Sequence, residues 1–218
     1  GPLTQGKMTA EGFDCLQGST IHPDHRPDSP LHRLAITALA LSADAHQVTR
    51  SVDGQEAQYY GSATERTALA FAEQLGFEQS ELLDSWRRKA VIPFDTEWKY
   101  RATLHNHPTQ PTQALFVTGA PEILLERSSQ ALDELDDSVQ LTSELRHRLG
   151  ERIAAHGQRG ERLLGVAMRR NLSQESITHD DVNGLLFLGV LIINDPIRPD
   201  VAAAIADTQS AGLSVKLI

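Results

Sequence analysis

The chain has 218 residues, 40% hydrophobic and 22% charged, the balance of an ordinary globular protein long enough to bury a substantial core. A formal net charge of −9 argues against a nucleic-acid surface, which needs clustered Lys and Arg, and leaves any anionic ligand to be held by local cations. One cysteine, Cys15, rules out an internal disulfide framework, and no run reaches the roughly 18 apolar residues of a membrane helix.

Residues 11 to 30 are polar and rich in Pro and His, and read as a loop. Asp28-Ser29-Pro30 then offers a cap followed by proline in a first helical turn, and apolar residues from Leu31 to Leu41 recur at helical spacing. Residues 44 to 60 read as linker or loop. Gly61 precedes a second helix that Gly76 ends, and a third is expected from Glu78 to Lys89. The texture then changes. Val91 to Phe94, Tyr100 to His105 and Ala114 to Val117 read as strands, with a proline-rich hairpin loop over 107–112. A helix is expected from Gly119 to about Ser129, and another from Thr142 with Leu145, Leu149 and Ile153 on one face. Arg162 to Met168 and the apolar run from Leu185 return to strand. After Asn194, a helix opened by Pro199-Asp200 and a strand from Leu213 suggest a βαβ unit with a parallel pair. The whole reads as α+β, a mostly antiparallel sheet flanked by helices, with a C-terminal βαβ fragment of a Rossmann-like domain. His105 and His107 alternate on one strand, but no Cys or acidic residue stands nearby, so a solvated strand end is preferred to a metal site.

Thr118-Gly119-Ala120-Pro121-Glu122 is the most informative run. It reads as a strand feeding directly into a helix: Gly119 permits close approach to the backbone, Pro121 suits a first turn, and Glu122 suits the positive helix end. Its companions come in a fixed order. Gly61-Ser62-Ala63-Thr64-Glu65 and Ile92-Pro93-Phe94-Asp95 with Lys99 precede it; Arg162-Leu163-Leu164-Gly165 and Asp195-Pro196-Ile197-Arg198 follow. The series resembles the ATP-binding region of P-type cation-transporting ATPases of the calcium, sodium and proton pump branch. The forms there are G-(D/E)-x-T-E, P/E-F-S-x-x-R-K, K-G-A-P-E and D-P-P-R.

The resemblance implies a nucleotide-binding domain that holds ATP, with Mg2+ on the nucleotide, for phosphoryl transfer to an aspartate outside this sequence. Phe94 matches the phenylalanine that stacks on adenine, although a core aromatic on a strand would look the same. Glu65 matches the acid that accepts from the adenine amino group, yet Ser62 and Glu65 also make a capping-box pattern. Lys99 matches a lysine that offers its ammonium to the phosphates or the purine edge, and Arg162 matches an arginine that reaches the phosphates, which guanidinium suits because it binds in bidentate fashion. Asp195 and Arg198 match the hinge motif, with ribose or phosphate contact and control of domain closure. Two positions depart from the pattern. Thr118 replaces the family lysine, and Thr96 stands where some relatives carry arginine. Charged hydrogen bonds contribute about 1.5–3 kcal/mol, so weak, millimolar binding is expected.

Leu3 to Thr9 resembles the segment after the family's phosphorylated aspartate, and Leu213 to Ile218 the strand before its T-G-D loop. Gly1-Pro2 reads as a cleavage scar. The expected division is therefore 1–10 as the segment after the phosphorylation motif, 11–193 as the nucleotide-binding domain, and 194–218 as part of the phosphorylation domain. The implied setting is the cytoplasmic part of an integral membrane pump, working with its phosphorylation, actuator and transmembrane domains. Neither D-K-T-G-T nor T-G-D occurs in the sequence, so the chain alone should be inactive as an ATPase. The rival reading, kept open by Thr118, is a regulatory or protein-interaction module on the same scaffold.

Overall fold

The computed structural model describes residues 8–49 and 58–195. The expected Rossmann-like fragment and Arg198 lie outside them. The described chain runs β1 (Thr9–Asp14), β2 (Thr20–Ile21), α1 (Pro30–Ser42), β3 (His46–Thr49), β4 (Gln58–Tyr60), α2 (Ala63–Gln74) and α3 (Gln79–Ser85). Then come β5 (Arg88–Ile92), β6 (Tyr100–Asn106), β7 (Gln113–Gly119), α4 (Pro121–Glu126), β8 (Ser128–Leu132), β9 (Ser138–Gln140), α5 (Ser143–Gln158), β10 (Arg162–Leu172) and β11 (Leu185–Asn194).

The main sheet follows the order β2-β1-β11-β10-β7-β6-β5, every neighbouring pair antiparallel. β8 adds a parallel pairing to β11, and β9 continues from β8. The expected α+β class with a mostly antiparallel sheet therefore holds for the described residues. β11 is buried along its length except at Asn194, which explains its unbroken apolar sequence: both faces of the sheet are covered. One face, carrying Phe116, Val166 and Met168, packs on α1, α2 and α3. The other, carrying Leu115, Val117 and Ala167, packs on α4 and α5. Alternation along each strand thus feeds two separate cores.

Helix starts follow local chemistry. Pro30 opens α1 behind Ser29, the Ser62 hydroxyl accepts from the Glu65 N–H at α2, and Thr142 accepts from the Leu145 N–H at α5. Several expectations need correction. Part of the loop expected over 11–30 is strand, because Phe13 and Asp14 pair with β11 and β2. The linker expected over 44–60 contributes a two-stranded hairpin, β3 with β4. The third helix stops at Ser85 instead of Lys89, where buried Trp86 turns the chain into β5. The helix after Gly119 is also shorter than expected, since Ser128 already begins β8.

β1 is held on its outer side by side-chain chemistry. The Asp14 carboxylate accepts from the Leu16 N–H at 2.7 Å and faces His156 Nε2 of α5 at 2.9 Å. Thr9 and Asn194 are register partners, so the chain enters and leaves the sheet side by side.

The solvated strand end expected for His105 and His107 needs correction at His105, which the core encloses. His105 is fully buried against Phe116, its Nδ1–H donating to the Trp86 carbonyl at 2.9 Å, while His107 lies beyond the strand with its ring on Trp86. Burial, opposed by that hydrogen bond and assisted by the Arg88 charge, pushes the His105 pKa from 6.5 down to about 4. A folded pKa below the unfolded one means that the stabilisation is complete above pH 6.5 and is lost as pH falls toward 4. At about 1.4 kcal/mol per pKa unit, the loss is about 3 kcal/mol. Urea unfolding at pH 7 and at pH 4 should show it, and His105→Gln should make the acid dependence shallower.

Candidate functional site

Five strand ends meet along one rim of the sheet. Phe94 follows β5, Lys99 precedes β6, Thr118 and Gly119 end β7, Arg162 begins β10, and Asp195 follows β11. The register fixes this. Gly119 is the Cα partner of both Tyr100 and Gly165, and Arg162 is the partner of Ile193. From β5 to β11 is four strand spacings, about 19 Å across the rim. Four of the five motifs, scattered along the sequence, therefore lie along one rim, and the fifth, Gly61 to Glu65, lies at the start of α2.

The loop bearing Phe94 and Lys99 is tightly built. The Asp95 carboxylate accepts from the Glu97 N–H at 2.7 Å, and the Asp95 carbonyl accepts from the Lys99 N–H at 2.7 Å. Aspartate in that place makes its own turn. Lys99 takes a left-handed conformation, φ 56°, and stays exposed. Its neighbours are anchored on the opposite face. Trp98 stacks on His179 at 4.2 Å, the Tyr100 hydroxyl bonds His179 Nδ1 at 2.7 Å, and the Arg127 guanidinium lies over both Trp98 and Tyr100. Phe94 is 58% exposed, one of few large apolar side chains outside both cores. The core-aromatic reading of Phe94 is thereby set aside.

Gly119, expected to let another molecule approach the backbone, also lies against this loop. A Cβ at Gly119 would stand 2.3 Å from the Lys99 carbonyl oxygen and 2.6 Å from Tyr100 Cα. The close approach is by the protein's own backbone. Gly165 repeats the device on β10, where a Cβ would come within 2.7 Å of Pro121 Cα. The Ala120 N–H also donates to the Lys99 carbonyl at 2.9 Å, binding the Thr118–Glu122 run to the Phe94 loop.

Glu65 lies half-buried in the first turn of α2. One carboxylate oxygen accepts from the Ser62 hydroxyl at 2.7 Å and the other from the Asp44 N–H at 3.1 Å. The capping role is therefore occupied. Each oxygen still has a free lone pair for another donor, so the two readings of Glu65 are compatible. Thr118 is 8% exposed, and its register partner on β6 is Arg101, a residue that the motif reading passed over. Arg101 Nη2 donates to Asp44 Oδ1 at 3.1 Å. Arg101, Asp44, Glu65 and Ser62 thus form a continuous polar line from the sheet to the start of α2. Strand alternation offered the signal, since Arg101, Thr103 and His105 occupy one face of β6. Arg162 is exposed, and Asp195 is half-buried with Oδ1 lacking a partner among the described residues.

A family model described as P-type ATPase, cytoplasmic domain N, matches residues 32–200. Calcium-transporting ATPase 1 of Lactococcus lactis subsp. lactis is 31% identical over 221 residues, covering 100% of this chain and 24% of that protein. Cation-transporting ATPase pma1 of Synechocystis sp. is 35% identical over 167 residues, covering 76% of this chain and 18% of that protein. The plasma membrane-type Calcium-transporting ATPase 10 of Arabidopsis thaliana is 27% identical, covering 100% and 21%. The chain belongs to the P-type ATPases and corresponds to their cytoplasmic N domain. It spans about a quarter or less of the length of these relatives. Among the described residues, no helix is long and apolar enough to cross a membrane.

Gly119→Ala should destabilise the domain by about 3 kcal/mol, because the added methyl meets backbone atoms that cannot swing away. Urea midpoints measure this. A loss below about 0.5 kcal/mol would show that the Phe94 loop is not held through that contact.

Proposed function

We propose that this domain binds ATP on the rim formed by β5, β6, β7, β10 and β11, and serves a membrane cation pump. The observation that carries the reading is Phe94: an aromatic side chain presented to solvent by a hydrogen-bonded loop, with Lys99, Thr118, Gly119 and Arg162 along the same rim and Glu65 joined to it through Asp44 and Arg101. In this reading the purine stacks on Phe94 and gives its amino hydrogens to Glu65. Lys99 and Arg162 take the phosphates, and Asp195 and Arg198 act at the exit from the sheet.

Mg2+ would arrive with the nucleotide, bound to its phosphates. The γ-phosphate passes to an aspartate in a D-K-T-G-T motif, which this sequence does not contain. The contribution of this domain is positioning and charge neutralisation, the main resources of phosphoryl transfer. Thr9 and Asn194 are register partners, which supports a boundary near Asn194 at a two-strand hinge to a phosphorylation domain. Closure at that hinge, with the actuator and transmembrane domains, would couple ATP to cation transport.

Calorimetric titration with ATP and AMP tests the reading. Both should saturate at millimolar concentration, and Phe94→Ala should weaken each about tenfold or more, since stacking contributes about 1–3 kcal/mol per base. A folded wild-type domain that takes up neither nucleotide at ~10 mM would remove the reading and favour an interaction module.

A further inference from the structure

We propose that Arg101 is a ligand-binding residue of this rim: its guanidinium supplies the buried positive charge at the purine edge, and Asp44 occupies it until nucleotide arrives. This inference rests on the nucleotide reading above and deepens it. Three observations carry it.

The first is burial with incomplete pairing. Arg101 is 6% exposed, yet among the described residues its side chain is hydrogen-bonded only through Nη2 to Asp44, and Nε has no partner. A buried guanidinium with unused donors is costly unless something else completes its bonding. The second is the nature of its partner. The Asp44 side chain is 68% exposed, sits after α1, and among the described residues is hydrogen-bonded only to Arg101, so no second contact holds it there. A second guanidinium lies close by. Arg88 donates to the Leu41 carbonyl at 2.6 Å, and its pKa is lowered first by burial and then by the Arg101 charge. Among the described residues, Asp44 pairs with Arg101 alone, while the Arg88 guanidinium turns to the Leu41 carbonyl.

The third is position. Arg101 and Thr118 are register partners on β6 and β7, which places the side chains next to each other on one face. The positive charge absent from position 118 stands one strand away. The Asp44 N–H in turn holds the Glu65 carboxylate. Acceptor and donor are thus arranged side by side, Glu65 for an exocyclic amino group and Arg101 for a ring nitrogen. That pairing matches the edge of adenine, which offers an amino donor beside ring-nitrogen acceptors. Arg101 is also suited to the adjacent acceptors of guanine, whereas Glu65 is not, so the two residues set base preference against each other.

The experiment is titration of the domain with AMP, ADP and ATP, using wild type, Arg101→Met, Asp44→Asn, Phe94→Ala and Arg101→Met with Thr118→Lys. Melting curves confirm that each variant is folded. Arg101→Met should weaken all three nucleotides by a common factor of about ten, because the contact is to the base. Asp44→Asn should tighten AMP several-fold, because a competing carboxylate is gone. Adding Thr118→Lys to Arg101→Met should recover part of the loss.

The inference is overturned if Phe94→Ala loses AMP while Arg101→Met keeps it. It is equally overturned if Arg101→Met and Asp44→Asn weaken AMP alike, the behaviour of a purely structural ion pair. A loss that grows from AMP to ATP would place the contact on phosphate and contradict the base assignment. Absence of any nucleotide response in the wild type would remove the nucleotide reading itself, and this assignment with it.

Discussion

The rim depends on how closely three strands approach at their ends. Gly119 on β7 has the Lys99 carbonyl and Tyr100 on one side and Gly165 on the other, and no side chain larger than hydrogen fits between them. That proximity lets the Ala120 N–H reach the Lys99 carbonyl and seats the Asp95 turn. The consequence is the exposure of Phe94. An aromatic ring costs stability when left in water, and here a rigid backbone leaves it there. The exposure is intelligible as a surface kept for a partner with a flat apolar face.

The opposite face of the sheet contributes to the same end. Trp98 and Tyr100 flank Lys99 and are fixed by His179 and Arg127, so the left-handed kink at Lys99 is held from behind. A non-glycine residue at positive φ is strained, and the surrounding aromatic contacts offset that strain. The polar line through Ser62, Glu65, Asp44 and Arg101 then joins the rim to α2 on the front face. The base end of the proposed site is therefore defined by the N-terminal helices and the sheet together. Its phosphate end is defined by strand termini alone.

Much of this was legible in the sequence. α1, α2 and α5 announced themselves through Ser29-Pro30, Ser62 with Glu65, and Thr142, because caps act locally. β11 was legible from its unbroken apolar run. β8 and β9 were not, since Ser128 to Leu132 lacks apolar alternation and owes its form to pairing with β11 and with its own neighbour. Phe94, Glu65, Lys99, Thr118, Gly119, Arg162 and Asp195 are candidates that the order of short motifs singles out, and the register sets the strand residues among them along one rim. Arg101, the residue proposed at the purine edge, belongs to none of those motifs. Its burial comes from α1 and Asp44, more than fifty residues upstream, and only the register sets it opposite Thr118.

The most direct test is an amide-resolved NMR titration of the domain with AMP. The account predicts chemical-shift changes concentrated at Asp44, Glu65, Lys99, Arg101, Gly119 and Gly165, with little change in α5 or in β9. Changes centred instead on the groove between α1 and α3, lined by Arg26, Arg33 and Phe77, would contradict it.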